Sequence, residues 1–246
     1  MADLFGLDQS PIDNPKPVEM IKDFVRWFAE PDDIVVDFFS GSATTAHAVM
    51  ALNAETGTAR RFILVQLPEA CEKGSTAERA GFSNIAELSR KRIKLAGQKI
   101  KKEHSSSPVD IGFRAFRIDS TNMANVYYVP DALEKANLDL FVDNIKLDRT
   151  PEDLLFQVML DWGVDLALPI SKQAIQDKVV FFVDGNALVA CFDAHGGIDE
   201  GFVKELAKHQ PLRVVFRDAG FKDSAVKINV EQIFKSLSPS TEVKCI

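Results

Sequence analysis

Ile34-Val35-Val36-Asp37-Phe38-Phe39-Ser40-Gly41-Ser42-Ala43-Thr44-Thr45-Ala46-His47-Ala48-Val49-Met50 decides how this chain is read. It opens as a β-branched and aromatic run, too short for a helix, which suits a buried parallel strand. Ser40-Gly41-Ser42 then makes a small-residue turn, and an Ala/Val/Met-rich segment resumes at helical spacing. Strand, turn and helix are the first half of a βαβ unit. At such a turn Gly41 and the small Ser40, Ser42 and Ala43 let a ligand approach the backbone closely. The helix starting near Thr44 points unpaired N–H groups at it. Nucleotide-like ligands bind in this crevice, outside the carboxyl ends of the strands. The stretch has neither the Gly-Lys-Ser/Thr ending of a P-loop nor the G-x-G-x-x-G dinucleotide fingerprint. Asp37, at the strand end, repels a phosphate and suits a cationic group such as the amino group of a methionine moiety. A plain strand–helix turn in an α/β domain is the competing reading, because one fold hosts many functions.

Asp37-Phe38-Phe39-Ser40-Gly41-Ser42-Ala43-Thr44-Thr45 resembles the S-adenosyl-L-methionine (AdoMet) motif of amino-methyltransferases acting on DNA, D-x-F-x-G-S-G-T-T. It departs at Ala43, where the usual residue is Gly and an added Cβ meets a backbone that favours positive φ. Asn14-Pro15-Lys16-Pro17-Val18-Glu19-Met20-Ile21 resembles the Lys-Pro motif that precedes this turn in the β-ordered methyltransferases. Arg61 to Glu69 resembles their next strand. Ile85-Ala86-Glu87-Leu88 with Arg92-Ile93 resembles a helix of the modification (Mod) subunit of type III restriction–modification systems. So do Arg217-Asp218 to Phe221-Lys222-Asp223 and Asn229 to Phe234. The likeness runs from about Asn14 to the C-terminus, with the motifs in order. It implies an α/β fold: a partial Rossmann-like AdoMet-dependent methyltransferase sheet over residues 1–107, then a smaller α/β (α+β) C-terminal domain over 108–246 that serves subunit contacts. It implies AdoMet as cofactor, held by Lys16, Pro17, Asp37, Phe38, Phe39, Gly41, Ser42, Thr44, Thr45 and Gln66. In the family an acidic residue near the second strand's end holds the ribose hydroxyls. Gln66 stands there, able to hydrogen-bond but without a charged acceptor's strength, and Glu69 is the substitute. The implied partners are DNA, a Mod dimer and a restriction (Res) subunit.

At 246 residues the chain makes one large domain or two small ones. No apolar run reaches membrane-spanning length, and the N-terminus has no signal-peptide pattern. Three widely spaced cysteines, Cys71, Cys191 and Cys245, fit reduced thiols in a cytoplasmic protein and no zinc site. A net charge of −7 is not the footprint of a stand-alone nucleic-acid binder. DNA contacts are therefore expected elsewhere on a complete enzyme.

Taken in order, Asn14 as N-cap and Pro15 as first helical residue predict a helix with Val18, Ile21, Val25 and Phe28 at helical spacing. After the strand, a helix from Thr44 to about Ala54 carries His47, read as a surface or packing residue. Phe62–Leu67 reads as a second buried strand. Residues 72–81 read as loop. Ser83–Glu103 reads as a long helix with Ile85, Leu88, Ile93, Ala96 and Ile100 inward. Its other side is basic (Arg90, Lys91, Arg92, Lys94, Lys99, Lys101, Lys102): a solvated face, or one that touches DNA phosphates. Residues 104–108 mark a boundary. Gly112–Asp119 alternates like a half-exposed strand, and 121–147 has no clear assignment. Thr150-Pro151-Glu152-Asp153 starts a helix. Val179–Val183 and Leu188–Phe192 predict a hairpin around Asp184-Gly185-Asn186. A helix over 198–209, a strand at Leu212–Phe216, a helix at Ser224–Leu237 and a strand at Val243–Cys245 follow.

Methyl transfer to an exocyclic amine also needs the amine held in line with the methyl group, and a flipped base needs a pocket of partners. In this family a D/N-P-P-Y/F motif supplies them. The chain carries none; Tyr127-Tyr128-Val129-Pro130 is a superficial echo. The leading expectation is the AdoMet-binding part of an adenine-N6 DNA methyltransferase, inactive alone. The alternative is a non-catalytic assembly module, favoured by an exposed sheet edge and by the departures Ala43 and Gln66. A small-molecule methyltransferase is a third reading, set against the Mod-like flanks.

Overall fold

The computed structural model describes residues 1–12, 14–106, 108–124 and 144–246. Residues 125–143, which include the Tyr127–Pro130 echo, lie outside them. The chain divides into two compact units, Met1–Phe116 and Arg117–Ile246. The sequence places the break at 107–108. Val109 and Ile111 pack beside Ile93, Ala96 and Ile100, and Gly97 leaves room for Ile111 against its helix, so the first unit runs on to Phe116.

The first unit holds α1 (Ala2–Phe5), α2 (Val18–Phe28), β1 (Ile34–Asp37), α3 (Thr44–Thr56), β2 (Arg61–Leu64), α4 (Thr76–Arg79) and α5 (Ile85–Glu103). β1 and β2 pair in parallel, from Ile34 opposite Arg61 to Asp37 opposite Leu64, and α3 is the crossover between them. α3 is apolar nearly all round, and such a helix belongs in a core. Ala46, Met50 and Ala54 meet Ile93, Ala96 and Ile100 of α5. Val49 and Leu52 meet Val25 of α2, with Val35 and Phe62 of the sheet beside them. Between α2 and α3 the buried Lys22 bonds Glu55 and Glu19, each at 2.6 Å. Those carboxylates raise the Lys22 pKa against the opposing effect of burial.

Several expectations change here. The first helix begins at Val18 behind Pro17, and Asn14 is left-handed at φ 47°. Pro17 forces Lys16 out of the helical region, so no helix can start at Pro15. Phe28 points outward and is 82% exposed. The strands are covered on one face only: Ile34, Val36 and Ile63 are 44%, 47% and 51% exposed. Period-2 alternation puts Val35, Phe62 and Leu64 on the helix side and these three on the other. Short α4, capped by Ser75, lies inside the expected loop. Gly112–Asp119 forms no strand; alternation does not suffice without a neighbour to pair with.

The second unit is a five-stranded mixed sheet in the order β3 (Ile170–Ile175), β4 (Lys178–Val183), β5 (Leu188–Cys191), β6 (Arg213–Phe216), β7 (Glu242–Cys245). The first two pairings are antiparallel and the last two parallel. α6 (Pro151–Asp161), α7 (Glu200–Ala207) and α8 (Ser224–Leu237) cover it. Alternate residues face opposite sides. Val180, Phe182, Val189, Val214 and Phe216 meet α7 and α8. Phe181, Val183, Leu188, Ala190 and Val215 meet α6. β3 is missing from the sequence reading because its turn, Gln176-Asp177, lacks glycine while holding φ 47° and 62°. Among the described residues no helix is long and apolar enough to cross a membrane.

Candidate functional site

The turn between β1 and α3 is where the sequence places the site, and it is tied down from three directions. Asp37 ends β1. Its Oδ1 accepts from the Phe39 N–H at 3.1 Å and its Oδ2 from the Thr45 hydroxyl at 2.6 Å. One carboxylate thus links the strand end to the first turn of α3. Ionised, it has roughly four acceptor sites in all, so capacity for a cationic group remains.

Gly41, at φ 50°, is held on both sides of its residue. Its N–H donates to Gln66 Oε1 at 2.7 Å, and its carbonyl accepts from the Ser89 hydroxyl. Gln66 is therefore committed to the turn, and its Nε2 donates to the Leu67 carbonyl at 3.1 Å. Glu69 is exposed.

Ala43 caps α3 without a side-chain hydrogen bond, at φ 60° and ψ 40°. It is the residue where a Cβ conflicts with a left-handed backbone, as its place in the motif predicts. Its methyl is fully buried with Ala46 and Met50.

Arg92 was missed. The sequence assigns it to the basic, solvated side of its helix, yet it is 3% exposed. Its Nη1 donates to the Ser42 carbonyl at 3.2 Å, the Ser42 hydroxyl at 2.5 Å and the Thr44 hydroxyl at 2.7 Å. Burial lowers its pKa to about 10, which leaves it charged at neutral pH. Its Nε has no hydrogen-bond partner. The signal was its place one helical turn from the inward Leu88 and Ala96, which outweighs membership of a charge run.

His47 stands one turn into α3. Burial, first, and then Arg92, Lys99 and the amino terminus lower its pKa to about 4, with Glu19 opposing. It is a neutral packing residue with a buried, unpartnered Nδ1.

The structure thus gathers Asp37, Gly41, Ser42, Thr44, Thr45 and Gln66 at one turn, in three separate sets of hydrogen bonds. Phe38 and Phe39 leave it outward, and Phe39 is 87% exposed. Lys16 and Pro17 stand exposed ahead of α2, and neither joins the hydrogen bonds just described. These residues fit an AdoMet-like ligand: a small-residue turn at a strand's carboxyl end, an acid with acceptor capacity, and an open aromatic face.

Residues 8–105 match the DNA methylase family model. Among relatives, the StyLTI Mod subunit of the type III restriction–modification enzyme of Salmonella typhimurium is 42% identical over 117 residues, 48% of this chain and 18% of that protein. The EcoP15I Mod subunit of Escherichia coli is 26% identical over 256 aligned positions, covering 99% of this chain and 36% of that protein. The type II methyltransferase M.KpnI of Klebsiella pneumoniae is 36% identical over 81 residues, 33% of this chain and 19% of that protein. The chain is similar to these proteins over the stretches stated, and it spans between about a fifth and about a third of the length of these curated relatives.

Proposed function

We propose that the first unit binds AdoMet as part of the Rossmann-like sheet of an adenine-N6 DNA methyltransferase of the Mod type. The observation that carries this is the turn itself, built from the motif residues and held open at a strand's carboxyl end. Bound there, AdoMet supplies the methyl group. Asp37 accepts from its amino group, Gly41 and Ser42 let it approach, Phe38 and Phe39 pack against it, and Thr44, Thr45 and Gln66 keep the turn in place. Lys16 and Pro17 complete the site on the α2 side. The 246 residues contain no D/N-P-P-Y/F stretch to grip a base amine, so these residues bind cofactor without transferring its methyl group. The second unit makes subunit contacts, with a second Mod chain and a Res subunit as partners, and DNA is engaged by the complete enzyme.

Titration calorimetry of the chain with AdoMet tests this. Micromolar binding is expected, with at least a tenfold loss in Asp37→Ala, because a hydrogen bond to a charged group is worth about 1.5–3 kcal/mol. Absence of binding by a chain that melts cooperatively overturns it.

A second reading has one observation in its favour. The uncovered face of Ile34, Val36 and Ile63 suits an assembly module that binds no cofactor. The same titration separates the two.

A further inference from the structure

We infer that Arg92 is a positioning residue that holds Ala43 left-handed at the turn, so that ligand affinity depends on a side chain touching no ligand. The inference rests on the AdoMet reading for its binding assay, but its geometry stands independently.

An alanine in the left-handed region is unfavourable unless its surroundings hold it there. The surroundings here are specific. Arg92 Nη1 bonds both neighbours of Ala43: Ser42, through its carbonyl at 3.2 Å and hydroxyl at 2.5 Å, and Thr44, through its hydroxyl at 2.7 Å. The two hydroxyls are themselves 3.3 Å apart, so the guanidinium closes a small ring around the strained residue. One helical turn earlier Ser89 bonds the Gly41 carbonyl and the Ile85 carbonyl. α5 therefore grips the turn at consecutive points, while the Ala43 N–H bonds the Ser40 carbonyl at 2.7 Å. No carboxylate among the described residues pairs with Arg92, and burial is the cause of its lowered pKa. A buried cation without a counter-ion is unfavourable unless its donors are used. Here the Nη1 donors go to the residues flanking Ala43, while the buried Nε stays unpartnered. The strained alanine and the buried arginine are thus a coupled pair: the hydrogen bonds that make the cation tolerable also hold the backbone.

The test is a double-mutant cycle in the full chain on Arg92→Met, Ala43→Gly and the double variant, read by AdoMet affinity, with a cooperative melt as the folding control. Arg92→Met is expected to weaken binding about tenfold or more. Ala43→Gly is expected to recover most of that loss, since glycine adopts this backbone unaided. Full affinity in Arg92→Met, or the same loss with and without Ala43→Gly, overturns the inference. If Arg92→Met does not fold, Arg92→Lys replaces it: an intermediate loss recovered by Ala43→Gly supports the pairing, and unchanged affinity refutes it. If the parent chain does not bind AdoMet, the cofactor reading fails on its own. Amide hydrogen exchange then decides: faster exchange at Ala43 in the Arg92 variant, with the Gly57 amide unchanged, supports the clamp, and equal exchange at Ala43 overturns it.

Discussion

His47 is a base that burial keeps neutral, and this makes it a source of acid sensitivity. Its folded pKa, about 4, lies below the ordinary 6.5. The contribution is thus fully present above about pH 6.5 and is lost as pH falls toward about 4, where the unfolded chain takes up the proton first. His47→Gln is expected to remove about 2 kcal/mol of the stability difference between about pH 7 and about pH 4.5. Urea unfolding of both proteins at the two pH values checks this, because the carboxylates titrate alike in each. At this scale the turn was legible. Asp37, Gly41, Ser42 and Thr45 fall where a small-residue strand–helix turn puts them, and Ala43 takes the positive φ its position requires. Arg92 was not. A basic run reads as solvent-facing, and only the tertiary fold shows which of its members turns inward.

Helix ends carry the clearest sequence signals, and α6 bears the strongest. The Thr150 hydroxyl accepts from the Asp153 N–H at 3.2 Å, and the Asp153 carboxylate accepts from the Thr150 N–H at 2.8 Å. Thr150→Ala is expected to lower the stability of the second unit by about 1 kcal/mol, measured as a shifted urea midpoint with unchanged slope. The strands separate two kinds of position. Val36→Lys, on the open face, is expected to change stability by about 0.5 kcal/mol or less. Val35→Lys, packed between α2 and α3, is expected to cost about 3 kcal/mol or more; thermal melts of the two decide. Apolar runs announce that strands exist but not which side is covered, so the half-bare sheet could not be read in advance. β3 was hidden for another reason: its turn puts Gln176 and Asp177 at positive φ, which local composition does not advertise. α8 matched its predicted span, Ser224–Leu237, because Asp223 caps its start and its apolar residues keep one period.

The polar stretch after α5 reads as a boundary, whereas the compact units divide between Phe116 and Arg117. The exact place of that division depends on Val109 and Ile111 packing back onto that helix, which no composition shift marks. The half-bare sheet has a colloidal consequence. The chain carries a net charge of −7, so two copies repel at low ionic strength even where apolar faces could meet. Added salt shortens the reach of that repulsion to about 3 Å at 1 M and leaves apolar attraction in place. Light scattering is therefore expected to rise with salt, and Val36→Lys to suppress the rise. A complex held by phosphate contacts responds in the opposite sense, loosening as salt increases. Ionic strength thus becomes the variable that tells adhesion through an uncovered face from adhesion to nucleic acid.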